Sequence, residues 1–180
     1  TAVDRCLVGF NAGPPMIPSA YNNNVQIVQT QDHIVILNEM VHTARIIRLD
    51  SEHHTKQLKW EGDSVAHWED DTLVVHTQNY YHDYNYSGMS EQAQITERFS
   101  RLDADTLNYD FTVEDPQSWD ATWSAKFPLR RAGDPLYEYA CHEGNHGLVG
   151  ILAGWRRYES MGLNGDGSPL SETGTVATEE

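Results

Sequence analysis

The stretch Gln94-Ile95-Thr96-Glu97-Arg98-Phe99-Ser100-Arg101-Leu102 runs through Asp103-Ala104-Asp105-Thr106 into Leu107-Asn108-Tyr109-Asp110-Phe111-Thr112-Val113-Glu114. In its second half the odd positions, Leu107, Tyr109, Phe111 and Val113, are apolar and the even positions are polar. A period of two is that of a strand with one dry face and one wet face. In the first half Ile95, Glu97 and Phe99 share a face, which puts a carboxylate among apolar neighbours. The short Asp-rich connection predicts a hairpin. A buried carboxylate is costly unless it is paired or protonated. Glu97 is therefore expected to point inward and to hydrogen-bond Arg45, Arg101, His42 or His142, in one pocket with Glu143 or Glu39.

Outward from this pair lie further runs rich in Val, Ile, Thr, Tyr, Phe and Trp, at residues 25–30, 33–39, 44–49, 64–68, 72–77, 121–128 and 136–141. Glu69-Asp70-Asp71 reads as a second hairpin connection. Many short strands with few helices predict a mainly β fold, a sandwich or a closed antiparallel barrel. Closure removes sheet edges, and roughly eight or nine strands suit a small barrel with one ligand cavity. One helix is predicted from Leu148, Ile151, Leu152 and Trp155, an apolar stripe at i, i+3, i+4 and i+7. The expected organisation is an irregular arm at residues 1–24 packed on the domain, a single barrel domain with its terminal helix at 25–161, and a flexible or partner-contacting tail at 162–180.

A chain of 180 residues, 39% hydrophobic, is long enough to bury one proper core. Its formal charge of −15 disfavours nucleic acid and anionic membranes, both of which demand Lys and Arg at phosphates. No apolar run approaches the roughly 20 residues that span a bilayer, so membrane insertion is not expected. The chain begins at Thr1, which is read as the product of processing or of trimming, and a signal peptide is expected to have been removed. Cys6 and Cys141 either pair, closing a long loop and constraining the unfolded chain, or remain two buried thiols.

The densest chemistry lies in Tyr137-Glu138-Tyr139-Ala140-Cys141-His142-Glu143-Gly144-Asn145-His146. His142 to His146 match the H-E-x-x-H pattern of zinc peptidases, which needs both histidines on one helical face. Gly144 and Asn145 disfavour a helix interior there. The plainer reading turns a strand into the helix, with Gly144 and Gly147 allowing a tight backbone and Asn145 as the helix cap. Glu39, His42 and Arg45 form a second group, able to pass a proton and to stabilise an anion, or simply a salt-bridged strand end. The aromatic run Asn79-Tyr80-Tyr81-His82-Asp83-Tyr84-Asn85-Tyr86 reads as a lid, a subunit contact or a solvated loop. His53 and His54 are adjacent and point apart on a strand. His67 and His76 are expected to face each other across a hairpin, more as exposed neighbours than as metal ligands. Neither a G-x-S-x-G, a P-loop nor a dinucleotide fingerprint occurs, and no cofactor is expected.

The runs Tyr21-Asn22-Asn23-Asn24, Gln26-Ile27-Val28-Gln29-Thr30, Asn38-Glu39-Met40, Gly62-Asp63-Ser64, Asp71-Thr72-Leu73-Val74-Val75, Glu97-Arg98-Phe99, Asp115-Pro116 and the block from Tyr137 to Asn145 resemble a widespread group of exported bacterial proteins. The resemblance spans roughly residues 5–158. It implies a compact calycin-like or lipocalin-like β-barrel with an irregular N-terminal arm and one C-terminal helix, in a secreted or periplasmic protein. It implies no particular reaction. The chain departs from the group's pattern at His67, Asp70, His76 and His146. With export implied, Cys6 and Cys141 are expected to form one intramolecular disulfide.

The leading functional expectation is a cofactor-free acid/base enzyme, a lyase, isomerase or hydrolase, acting on a small apolar or aromatic substrate. Glu97, His142, Glu143, Glu39 and His42 would carry the chemistry, and desolvation would suit Glu97 to it near neutral pH. Arg45, Tyr137, Trp123, Tyr81 and Asn145 would bind the substrate. One alternative is a non-catalytic secreted ligand-binding protein or structural subunit, forming a homo-oligomer through the arm, the aromatic loop or the tail. Another is a metal-dependent enzyme using His142, Glu143 and His146.

Overall fold

The alternation read in residues 94–114 is realised in the computed structural model, which describes residues 2–53, 57–81, 88–165 and 167–169. Eight strands follow in chain order: β1 (Val25–Gln29), β2 (His33–Asn38), β3 (Ala44–Leu49), β4 (Asp63–Glu69), β5 (Thr72–Gln78), β6 (Gln94–Arg101), β7 (Thr106–Glu114) and β8 (Trp123–Arg130). Helix α1 (His146–Ser160) comes last. The strands form one sheet in the order β1-β2-β3-β4-β5-β6-β7-β8, curled into a half-barrel. The chain divides into two units, Thr1–Ala140 and Cys141–Glu180.

Cross-strand registers put the apolar parities on one face. Val75 lies opposite Glu97, Glu97 opposite Phe111, and Phe99 opposite Tyr109. Ile34, Ile36, Ile47, Val75, Ile95 and Phe111 are fully buried there. Glu97 is 0% exposed on the same face, as its parity predicted. Most neighbours are antiparallel, but β3 and β4 pair in parallel, Arg48 opposite Val65 and Leu49 opposite Ala66. That corrects the expectation of an antiparallel sheet throughout. A parallel pair needs a crossover, supplied here by residues 50–62.

The sheet does not close, which corrects the expected closed barrel. Among the described residues no backbone hydrogen bond joins β1 to β8. The reason is legible in β8. Arg131 N–H donates to Asp105 carbonyl at 2.8 Å, and alternation from there makes Leu107–Leu129 and Tyr109–Phe127 the bonded pairs. Pro128 then turns its nitrogen to the open side, where it has no proton to give. Lys126 and Arg130, also on the open-side phase, guard that edge further.

The N-terminal arm lies on the half-barrel's core instead. Val8, Ala12 and Met16 are buried with the sheet residues, and Met16 N–H donates to Tyr109 Oη at 3.0 Å. Gly13 sits at φ +74, where an added Cβ would meet Pro15 and Met16 backbone at 2.6 Å. Only glycine fits that turn.

Residues 136–141 form no strand, against expectation. Their alternation finds no ladder partner among the described residues, and a strand is stabilised by pairing rather than by propensity alone. In the second unit, α1 forms as its stripe predicted, with Asn145 as N-cap accepting from Leu148 N–H at 3.0 Å. No residue of the helix is buried, and Val149, Ile151, Leu152 and Trp155 are all exposed. Gly144 and Gly147 adopt ordinary backbone with room for a side chain, so glycine is not required at either place. Of the expected tail, residue 166 and residues 170–180 lie outside the described residues.

Candidate functional site

Inside the half-barrel lies a buried polar network. Arg45 follows the 3-10 turn Met40–His42, in which Val41 and His42 take positive φ of 62° and 49°. Such values are strained for a β-branched residue. From there β3 carries Arg45 and Ile47 inward, with Arg45 only 3% exposed. Its Nη1 donates to Glu97 Oε2 at 2.6 Å and its Nη2 to Glu97 Oε1 at 3.0 Å. Tyr109 Oη donates to the same Oε1 at 2.7 Å. The paired fork is the strong geometry for guanidinium and carboxylate. Burial alone would lower the Arg45 pKa, but the adjacent Glu97 charge and its hydrogen bonds hold it above the ordinary value. Burial, then the Glu97 charge, push the Tyr109 phenol well up. Glu97 is thus tied to Arg45, one of the partners its burial demanded.

A second carboxyl joins the network from the crossover. Gly62 sits at φ +73, with Thr77 and Tyr80 within 3 Å of where a Cβ would stand, and the turn directs Glu61 inward. Among the described residues Glu61 Oε1 and Arg45 Nε have no hydrogen-bond partner. Burial raises the Glu61 pKa most, Arg45 opposes, Glu97 adds to the rise, and the carboxyl is pushed up to about 7. As pH rises past 4.5 the unfolded chain releases this proton before the folded one does, so the native state binds more protons and stability falls until about pH 7. Replacing Glu61 with Gln should remove that slope. The variant should match the wild type near pH 4 and exceed it by about 3 kcal/mol above pH 7, at ~1.4 kcal/mol per unit. Urea midpoints from pH 4 to 9 check this, and parallel curves for the two proteins would refute it.

A third cluster pins the crossover to the sheet. Buried Asp63 accepts from Arg48 at 3.0 and 3.1 Å, from Lys59 at 2.7 Å, and lies 3.3 Å from His53 Nδ1. On the outer face His67 and His76 stack at 5.7 Å, as their hairpin placement suggested. Burial, then His67 and His53, hold His76 below the ordinary imidazole value. His54 lies outside the described residues.

The other sequence-derived residues are placed elsewhere. Glu39 accepts from Asn24 N–H at 3.2 Å and from Asn24 Nδ2 at 2.9 Å, while His42 is exposed in the turn. The turn separates both from the inward-facing Arg45. His142 and Glu143 belong to the second unit and are exposed in the turn before α1. His146 is the first residue of the helix, so the H-E-x-x-H pattern straddles a turn and a helix start rather than one helical face. Among the described residues no group of three His, Cys, Asp or Glu is placed to hold a metal. Tyr137 is 68% exposed. Trp123 packs edge-on against Phe111 at 5.5 Å and Trp119 at 5.7 Å. Tyr81 packs against Trp60 at 4.8 Å, and positions 82–86 of the aromatic run lie outside the described residues. Asn145 is the helix cap. Both cysteines, Cys6 and Cys141, are disulfide-bonded and neither is free, as expected.

Sequence reasoning missed Glu61 and the role of Tyr109. Tyr109 carried a signal, since a phenol on an inward parity needs a polar partner. Glu61 carried none, because it stands in a turn outside any periodic run.

Within the first unit a cleft of ≈ 1710 Å³ opens beside the network. Its apolar lining includes Met16, Ile34, Ile36, Leu73, Phe99 and Phe127. Both sheet edges border it, through Val25, Ile27 and Gln29 of β1 and Leu129 and Arg130 of β8. Asn11, Asn23 and Asn24 add polar atoms. Arg45, Glu61, Glu97 and Tyr109 do not line it, whereas Met16, bonded to Tyr109, does. Among the described residues no helix is long and apolar enough to cross a membrane. The chain matches no family model, no curated protein sequence and no solved structure.

Proposed function

We propose that this chain is an exported, non-catalytic binding protein of calycin-like design that captures an elongated ligand with an apolar body in its half-barrel cleft. The observation that carries the reading is the cleft itself, lined by core side chains and larger than the roughly 300–1,000 Å³ of ordinary small-ligand pockets. The polar network argues for binding over turnover. Both Glu97 oxygens are occupied by Arg45 and Tyr109, and Glu97 does not border the cleft. A carboxylate so held is a structural tie, whereas a general base must reach its substrate's proton. The disulfide supports an oxidising compartment and therefore export.

The test uses N-phenyl-1-naphthylamine, a neutral probe whose emission rises in apolar surroundings. Saturable binding is expected at the wild-type cleft. Leu129→Asp places a charge in the cleft wall on an edge strand and should weaken the probe at least tenfold while the far-UV spectrum is kept. Absence of saturable binding, or equal binding by Leu129→Asp, counts against the proposal.

A further inference from the structure

We infer that the occupant of the cleft is an extended, cationic polypeptide segment of another protein, which adds to the free edge of β1 as a further strand. The inference rests on the binding reading above and names the ligand class. Its starting point is the hydrogen-bond phase of β1. Thr30 N–H donates to His33 carbonyl at 2.9 Å at one end of the β1–β2 hairpin, and Glu39 N–H donates to Asn24 carbonyl at 3.0 Å at the other. Bonded pairs alternate in an antiparallel ladder, so Gln26 and Val28 turn their backbone groups toward β2. Val25, Ile27 and Gln29 turn theirs to the open edge. Among the described residues no backbone hydrogen bond reaches them from that side.

The two edges of the sheet differ in how they are protected. β8 carries Lys126, Pro128 and Arg130, three devices against pairing. β1 reads Val-Gln-Ile-Val-Gln, with no charge and no proline, and leaves Ile27 38% and Val28 43% exposed. One end of the sheet refuses a strand and the other accepts one. Val25, Gln26, Ile27 and Gln29 of β1 already border the cleft. An added strand would therefore lay alternate side chains along the same apolar lining, the mode in which backbone bonds give affinity and alternate pockets give specificity.

Charge selects the partner. Asp70, Asp71, Asp103, Asp105 and Asp134 border the cleft. Against them stand Arg101, Arg130 and Arg131. Arg131 is paired with Asp105 at 3.5 Å, and Arg101 donates to the Ala104 carbonyl at 3.1 Å. The whole chain carries −15, so a second copy is repelled and a segment with Lys or Arg on its outward face is attracted.

The experiment measures fluorescence polarisation of labelled Lys-Val-Lys-Val-Lys-Val-Lys with the full chain. Expected are saturable binding that weakens several-fold between 50 and 500 mM salt, and no binding by the same peptide with Glu for Lys or with every amide N-methylated. Ile27→Pro removes an outward N–H without touching the β1–β2 ladder and should weaken the peptide at least tenfold, against less than threefold for Ile27→Ala. Gln29→Pro serves the same purpose should Ile27→Pro not fold. Equal binding by the N-methylated peptide, by the Glu peptide or by a folded proline variant overturns the inference. So does a dimer on sizing that Ile27→Pro dissolves, which would make a second copy the occupant. If N-phenyl-1-naphthylamine still binds while the peptide does not, this inference alone fails; if neither binds, the reading of the cleft fails with it.

Discussion

Glu97→Gln is expected to destabilise the protein by about 3–5 kcal/mol, the range for removing one partner of a buried ion pair. The guanidinium of Arg45 stays behind at 3% exposure, with the charge that balanced it gone. Gln presents one carbonyl and one NH₂ to two N–H donors, so at least one contact becomes donor against donor. Tyr109 loses its charged acceptor as well. At ~2–4 °C per kcal/mol for a chain of this size, the midpoint should drop by roughly 6–20 °C. Arg45→Met should cost as much, for it strands the carboxylate. The double variant Arg45→Met/Glu97→Met removes both charges and should recover most of the loss, since apolar replacement of a buried pair is often neutral. Urea unfolding of the wild type, Arg45→Met, Glu97→Met and the double variant closes the cycle, with Glu97→Gln measured beside them, and unchanged m-values would confirm that the differences are stability. A Glu97→Gln protein within 1 kcal/mol of wild type would show that the pair contributes little. The fork to Arg45 is what makes this substitution a stability variant.

The periodicity that carries the fold also explains why the site was legible only in part. Period-two alternation in residues 94–114 is local, and it placed Glu97 inward without any knowledge of the partner strands. The Asp-rich connections were equally local. Asp105 N–H bonds to Asp103 Oδ1 at 2.8 Å, the self-contained turn chemistry that such residues advertise. The parallel β3–β4 pairing had no such signal, because register across a crossover is a tertiary property. Glu61 stands in that crossover, and so the second carboxyl of the network was not legible. The open sheet was legible in Pro128, provided the proline was read as an interior residue of an edge strand instead of its end. His142 and Glu143 pose the opposite case. They are close in sequence to everything a catalytic motif needs, but a motif acts through its three-dimensional context, and here that context is an exposed turn before a helix.

Reduction of the Cys6–Cys141 bond is expected to cost about 5 kcal/mol, close to what loss of the Arg45–Glu97 pair costs but for an unrelated reason. The ion pair acts on the native state. The cross-link acts mainly on the unfolded chain, whose two cysteines lie about 135 residues apart and would otherwise separate freely. The N-terminal arm makes the consequence visible locally. Val8, Ala12 and Met16 are buried, yet among the described residues the arm forms no strand, and Met16 N–H ties its buried part to Tyr109. An arm without a strand ladder of its own opens below the global free energy once its covalent anchor is cut. Cys6→Ser/Cys141→Ser should therefore shift the urea midpoint as far as reductant shifts the wild type, and reductant should not shift the variant further. In hydrogen exchange, amides of residues 7–16 should lose protection before those of β6 and β7. Thiol titration in denaturant without reductant should find no free thiol. Two free thiols, or a midpoint that reductant leaves in place, would mean that arm packing alone anchors the N-terminus and would remove the main support for an exported protein.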